Sequence, residues 1–257
     1  MATLEEKIPE LSSMKKYPKV INYKGNLELL QRKKVSIVGT RHPNQYTKMM
    51  TQSLASKLSI SSICIVSGGA MGVDALAHRY AGTHNTIMVA GTGIDIRYPK
   101  INAKLIEDIE KEGLVLSQFE IGAPSQRYNF PLRNELVVAL GDVLIVAQAD
   151  LKSGTMRSVE YALKMKKQIY VLPHRIGESE GTNKLLQSGD AKAIYDIDTF
   201  VKELSGFDIL EQKQDDFLEF CATFPSYEEA LLKYPSRVFE AELSGEISIK
   251  NGKIFRV

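Results

Sequence analysis

The sequence predicts an α/β fold: a doubly wound, mostly parallel sheet between helices, followed by a small C-terminal winged-helix domain. Three observations carry this prediction. Six short, near-continuous apolar runs alternate with helical patterns, as expected of strands buried on both faces. Glycine- and hydroxyl-bearing loops stand at or just past four of those runs, on the side where such sheets bind ligands. Past residue 205 the alternation gives way to helical segments and a two-stranded pattern. The expected division is therefore 1–205, with 1–34 as a lead, and 206–257.

In chain order the expected strands are "VSIVG" (35–39), "CIVSG" (64–68), "TIMVAG" (86–91), "LVLSQF" (114–119), "DVLIVAQ" (142–148) and "QIYVLP" (168–173). Between them the spacing predicts helices over 48–58, 72–82, 103–113, 132–141 and 156–167. Strand and helix alternating in this way build a layered α/β sheet. In the last segment "SYEEALLKY" and "RVFEAELSG" read as helices, and "EISIKNGKIFRV" alternates about an Asn-Gly turn, the arrangement of a hairpin wing.

Composition narrows the function classes. At 257 residues, 44% hydrophobic and 25% charged, the chain has the make-up of a globular domain with a proper core. Cys64 and Cys221 form no C-x-x-C pair, so neither a disulfide framework nor a thiolate metal site is expected, and a reducing, cytoplasmic setting fits. The longest apolar run, Leu136 to Ala147, is broken by Gly141 and Asp142 and is too short for a membrane span. The start, "MATLEEKIPEL", lacks the apolar core of a signal peptide. Net charge is +2, but 206–257 holds ten acidic against six basic residues and so carries −4, leaving +6 on the remainder. A basic body suits a polyanion and an acidic tail suits a protein contact.

The loops are Gly39-Thr40-Arg41, Ser67-Gly68-Gly69-Ala70-Met71-Gly72, Gly91-Thr92-Gly93 and Lys152-Ser153-Gly154-Thr155. Glycines permit close backbone approach, and hydroxyls and helix-start amides donate to anions, so four converging loops predict a phosphate or carboxylate site. A nicotinamide or flavin cofactor is not expected: G-x-G-x-x-G would need glycine where Ser67 stands, and the next strand ends Val89-Ala90-Gly91 with no ribose-binding acid. The Walker pattern is absent too. "RYNFPLRNE" (127–135) sets Arg127, Tyr128, Phe130 and Arg133 ahead of a helix, pairing phosphate-neutralising guanidiniums with stacking rings as single-strand binders do. Asp74 and His78 share a helix face, but His42, His84 and His174 make no metal pattern with them. No nucleophile and base have a catalytic spacing, so neither an enzyme nor a metal site is expected.

Together these residues resemble the DNA-processing protein A (Smf or DprA) family. The resemblance rests on "YKGN" (23–26), "VGTR" (38–41), "SGGAMGVDALAH" (67–78), "YPKIN" (98–102), "NFPLRN" (129–134), "SGTM" (153–156) and "EGTNKLLQSGD" (180–190), in family order over roughly residues 17 to 200. It implies an extended Rossmann-like DNA-binding domain over 1–205 and a winged-helix unit after it. It further implies a homodimer that binds and protects incoming single-stranded DNA and helps load the recombinase RecA in natural transformation, without turnover chemistry. Carried over by position, Gly39, Thr40 and Arg41 would grip a DNA phosphate, helped by backbone amides near Gly68 and Gly69. Arg127 and Phe130 would add charge and a stacking ring. The expected DNA-binding set is completed by Ser67, Gly72, Arg133, Asn134, Lys152, Ser153, Gly154 and Thr155.

Two departures stand out. Many relatives read Arg-Asn-Arg where this chain has Arg133-Asn134-Glu135, and with so few residues ahead of Tyr23 the helical N-terminal module of many relatives is expected to be missing. The alternative is a nucleotide phosphoribohydrolase of the LOG, or lysine-decarboxylase-like, type, whose motif places a catalytic glutamate three residues after its Thr. Three beyond Thr155 this chain has Ser158, and Glu160 is two positions off.

Overall fold

The structure, a computed structural model, describes residues 2–206, 216–221, 225–243, 246–250 and 252–256. The chain divides into two compact units, Met1–Ser205 and Gly206–Val257. The strands of the first are β1 (Ala2–Thr3), β2 (Asn22–Gly25), β3 (Lys34–Val38), β4 (Cys64–Ser67), β5 (Thr86–Val89), β6 (Leu114–Ser117), β7 (Val143–Val146), β8 (Ile169–Val171) and β9 (Lys192–Ala193). They form one sheet in the order β1-β2-β6-β5-β4-β3-β7-β8-β9. From β6 across to β9 every neighbouring pair is parallel, whereas β2 joins β6, and β1 joins β2, antiparallel. The sheet is thus mostly parallel and doubly wound, in the Rossmann manner. The chain starts the parallel part at β3, winds outward through β4, β5 and β6, then returns to the other side of β3 and winds away through β7, β8 and β9. The crevice between β3 and β7 is therefore the point where the winding reverses.

Seven α-helices accompany these strands: α1 (Gln45–Ile60), α2 (Val73–Ala81), α3 (Ala103–Glu112), α4 (Asn129–Leu140), α5 (Gly154–Lys164), α6 (Glu180–Ser188) and α7 (Ile197–Ser205). Successive strand residues serve opposite faces. Val66, Ile87, Val89, Leu114 and Leu116 point to a core completed by α4, α5 and the lead's Ile8, Leu11 and Met14. Met88 and Val115 point the other way, to Ala75 of α2 and to Leu105, Ile106 and Ile109 of α3. This double burial is why the central strands read as apolar runs without alternation.

The six expected strands are present, each ending before the loop residues that the apolar pattern had included. Strand β2, "NYKG", second from the sheet's edge between β1 and β6, carries no apolar run and is held in part by polar groups: Asn22 donates from Nδ2 to the Phe119 carbonyl (3.2 Å) and accepts from the Thr3 hydroxyl (3.0 Å). The lead is also anchored by Lys34, only 3% exposed. Its ammonium donates to the carbonyls of Leu30 (2.7 Å) and Arg32 (3.0 Å) and pairs with Glu10 (2.6 Å).

In the second unit the described residues form α8 (Asp216–Cys221), α9 (Tyr227–Lys233), α10 (Pro235–Leu243) and an antiparallel hairpin of β10 (Ile247–Lys250) and β11 (Lys253–Arg256). Ser226 and Glu229 close a capping box at the start of α9. Phe217, Cys221, Ala230, Val238, Ala241, Ile247 and Ile254 make a small core of their own. Ser244, Gly245 and the Asn251 of the expected Asn-Gly turn lie outside the described residues, while Gly252 has a φ of +70°.

Truncating Lys34 leaves two carbonyls and a carboxylate without their donor. Lys34→Ala is expected to lower stability by about 1–3 kcal/mol in urea denaturation and to open the lead to limited proteolysis.

Candidate functional site

At the crevice the ends of β3 and β7 are joined: Ala147 donates its N–H to Val38 (3.0 Å) and Thr40 donates to Gln148 (2.9 Å). The Gln148 side chain then accepts from the Asn44 N–H (3.0 Å) and the Thr47 hydroxyl (2.9 Å), while Asn44 caps α1 through the Thr47 N–H (2.8 Å). Gly39-Thr40-Arg41 is thereby held as an arch with the Arg41 side chain exposed. The loop after β4 locks onto this arch. Gly72, at φ +79°, lies so near the carbonyls of Thr40 and Arg41 that a Cβ would collide with both, and Val73 donates its N–H to Thr40 (3.2 Å).

Beneath that loop runs a buried polar layer. Arg133 of α4 is only 4% exposed. Its Nη1 donates to the carbonyls of Gly68 and Val89 (2.9 Å for the latter), and its Nε donates to the Asn134 side chain (3.1 Å). A Cβ at Gly68 would overlap this guanidinium where it stands, so a side chain there would displace Arg133 from the carbonyls it holds. Ser67 turns inward and donates to Ile37 (2.6 Å). Asn102 donates to the carbonyls of Gly69 (3.0 Å) and Ala70 (3.2 Å), and Asp74 accepts the Ala70 N–H (3.3 Å). Burial pushes the Asp74 carboxyl up from its ordinary value, against the pull of Arg133. Burial pushes the Arg133 guanidinium down, against the pull of Asp74.

His78 is in the same layer. The Thr86 hydroxyl donates to Ile65 (2.9 Å), so the 2.6 Å contact with His78 is a donation from Nδ1–H, leaving Nε2 bare and without a partner among the described residues. Burial, and then the charge of Arg133, push its pKa down to about 3.

Above this layer opens a cleft of about 390 Å³, lined among others by Arg41, Phe130, Asn134, Ser153, Thr155 and Ser158. The Phe130 ring is flanked by two guanidiniums, Arg41 at 5.8 Å and Arg133 at 5.9 Å, and the Tyr98 ring lies 6.0 Å away. Helix α5 starts at the cleft, with Gly154 and Thr155 in its first turn, and its N-cap Ser153 makes no side-chain capping bond. The hydroxyl oxygens of Ser153 and Ser158 are buried without partners among the described residues. A helix start with free amides and two idle hydroxyls beside an exposed guanidinium is equipped to hold an anion.

The expected residues separate into three groups. Gly39, Thr40, Arg41, Phe130, Asn134, Ser153, Gly154 and Thr155 come together in the cleft wall, and Arg133 joins them as its floor. Ser67, Gly68, Gly69 and Gly72 shape the loop that carries the wall. Arg127 and Lys152 are exposed and do not line the cleft. Like Ser67, the hydroxyl of the loop after β5 turns inward: Thr92 is 1% exposed and donates to Ile96 (2.8 Å), while Gly91 packs against the Phe130 ring. Glu135 turns away and accepts the Lys15 N–H (2.9 Å). Asp74, Asn102, Arg157 and Ser158 were not expected at the site. Nor was Asn129, which donates to Gly91 (3.1 Å) and Pro124 (3.2 Å) and so sets the entry to α4. Among the described residues no group of three or more His, Cys, Asp or Glu side chains could hold a metal ion, and no helix is long and apolar enough to cross a membrane.

Fold and site together define an open α/β protein with a cationic, ring-floored cleft at the reversal point of its sheet. Residues 2–205 match the DNA recombination-mediator protein A family, and the chain belongs to it. Protein Smf of Synechocystis is 34% identical over 206 residues, which are 77% of this chain and 52% of that protein, so the chain spans about half of that relative's length. The solved DNA processing protein A of Helicobacter pylori, studied for its single-stranded DNA binding mode, superposes with a TM-score of 0.77 at 43% identity, covering 79% of this chain and 94% of that one. The Streptococcus pneumoniae protein DprA superposes with a TM-score of 0.70 at 34% identity, over 75% and 70% of the two chains.

Removing the guanidinium under the loop strands the Gly68 and Val89 carbonyls and takes away the positive charge beside Asp74. Arg133→Met is expected to cost about 3 kcal/mol or more in urea denaturation. The depressed pKa of His78 gives a pH signature. The neutral imidazole contributes fully above the unfolded value of 6.5, and that stability is lost as pH falls toward 3. Between pH 7 and pH 5 the loss is expected to reach about 2 kcal/mol. Comparing wild type with His78→Gln at both values isolates the imidazole from Asp74, whose raised pKa acts in the opposite sense.

Proposed function

We propose that this chain binds single-stranded DNA in the cleft between β3 and β7, protects it, and passes it to a RecA-type recombinase during natural transformation. The observation that carries the reading is the Phe130 ring set beside Arg41 and the free start of α5. Phosphate goes to Arg41, to the Gly154 and Thr155 amides and to the idle Ser153 and Ser158 hydroxyls, while a base stacks over Phe130. Asn134 borders the same space, and Arg127 and Lys152 add charge outside it. Membership of a recombination-mediator family supports the hand-over to a recombinase. Single-stranded DNA binding by the Helicobacter pylori protein supports the choice of ligand. In this reading the protein works as a cytoplasmic homodimer. Unit 206–257, with three described helices and a hairpin, is a winged-helix domain whose charge of −4 suits a partner contact over an independent grip on duplex DNA.

The reading is non-catalytic. At the place where a phosphoribohydrolase has its glutamate stands the Ser158 hydroxyl, and Glu160 is surface-exposed and paired with Arg157 (3.0 Å). Release of free base from a nucleotide by the purified protein would reverse this assignment.

Fluorescence anisotropy of labelled oligo-dT, with salt titration and duplex competitor, tests the proposal. Binding should weaken with salt and resist duplex. Arg41→Ala should lower affinity by about tenfold or more, and Phe130→Ala should cost about 1–3 kcal/mol. No binding at low salt would overturn it.

A further inference from the structure

Arg41 also borders a second groove, of about 450 Å³, lined by Arg41, His42, Lys48, Met71, Arg79 and Ile101 among others. Its wall is built by regular geometry. Gly72, Ala75, Leu76 and Arg79 follow the i, i+3, i+4, i+7 spacing of one face of α2. Lys48 comes from the first turn of α1, where its N–H donates to Asn44 (3.0 Å). Met71 and Ile101, 36% and 74% exposed, supply flat apolar surface beside the charges.

Two features separate this groove from an ordinary solvated surface. No carboxylate lines it, whereas the cleft has Asp74 in its wall. Among the described residues Arg41, Lys48 and Arg79 have no ion pair, so the groove gathers three unneutralised cations on one concave surface. Unneutralised cations on a concave surface raise the local concentration of a polyanion. The groove also adjoins the cleft, because Arg41 borders both.

We infer that this groove is a second strand-binding subsite, holding the phosphodiester chain that continues past Arg41 out of the cleft. Lys48 and Arg79 neutralise successive phosphates, and Met71 and Ile101 give the bases an apolar surface to lie on. The inference rests on the reading of the cleft as a single-strand site, and it adds length: the protein covers more nucleotides than the cleft alone admits.

The test uses the full chain, oligo-dT of about four and about twenty nucleotides, and the double variant Lys48→Ala/Arg79→Ala. Both side chains are exposed, so an unchanged melting curve is the fold control. The expected result is wild-type affinity for the short oligomer and about tenfold weaker binding of the long one. The log–log salt slope for the long one should also be shallower by about 1.4, as two lost single-strand phosphate contacts require. Unchanged binding of the long oligomer, with the wild type binding both, overturns the groove and leaves the cleft reading standing. Equal losses at both lengths overturn the groove as a separate subsite. A wild type that binds neither oligomer overturns the cleft reading and the groove with it.

Discussion

The geometry of the site depends on one buried guanidinium. Arg133 crosses from α4 beneath the sheet's carboxyl edge and holds the Gly68 carbonyl and the last carbonyl of β5. The loop from Gly68 to Gly72 cannot move without leaving that donor unpaired in a dry place, which is costly for a charge. Gly72 in turn interlocks with the carbonyls of Thr40 and Arg41, so the position of the exposed Arg41 is fixed from below through two backbone contacts. A long surface side chain ordinarily loses much conformational freedom on engaging a ligand. Here its backbone is set beforehand, and the Phe130 ring gives its guanidinium a surface to rest on.

The electrostatics follow from the same layer. Among the described residues Asp74 is the one carboxylate in the cleft wall, and it is buried with its ionised form disfavoured. His78 is kept neutral by burial and by Arg133, so the layer gains no second cation under the loop. Favourable potential is left to Arg41, the α5 start and the unpaired cations of the neighbouring groove. A chain of net charge +2 can thus present a strongly cationic edge, because charge placement and not the total decides what a cleft attracts.

Much of this was legible in the sequence, for physical reasons. The central strands are buried on both faces, so their letters are apolar throughout, and glycine loops mark where parallel strands end. β2 escaped because its four residues, next to the sheet's edge, carry no apolar run, and here Asn22 and its partners add hydrogen bonds to the packing of Tyr23. The residues of the cleft wall could be placed from their loops, but the direction of a side chain could not. Arg133 and Arg127 look equivalent in "RYNFPLRNE". Only the helical phase of α4 sends the first under the loop and leaves the second exposed ahead of the helix. Glu135, two residues past Arg133, is carried by that phase to the lead segment, where it binds the Lys15 N–H, so its negative charge does not face the cleft. Ser158 was weighed only as a missing glutamate, since nothing local in a sequence shows that a hydroxyl will lack a partner.

The recessed position of Phe130 bears on the kind of strand such a cleft selects. The ring is half-buried, backed by Gly91 and bracketed by Arg41 and Arg133. A phosphate can reach Arg41 from either a duplex or a single strand, because backbone phosphates are exposed in both. A base reaches the ring only after leaving its own stack and its pairing partner, which in a duplex costs a few kcal/mol for each nucleotide extruded. In a single strand pairing is already absent, and stacking on the ring replaces stacking on a neighbouring base at little net cost. Charge at the arch therefore sets how strongly a polyanion is attracted, and the depth of the ring sets which polyanion can use the whole cleft.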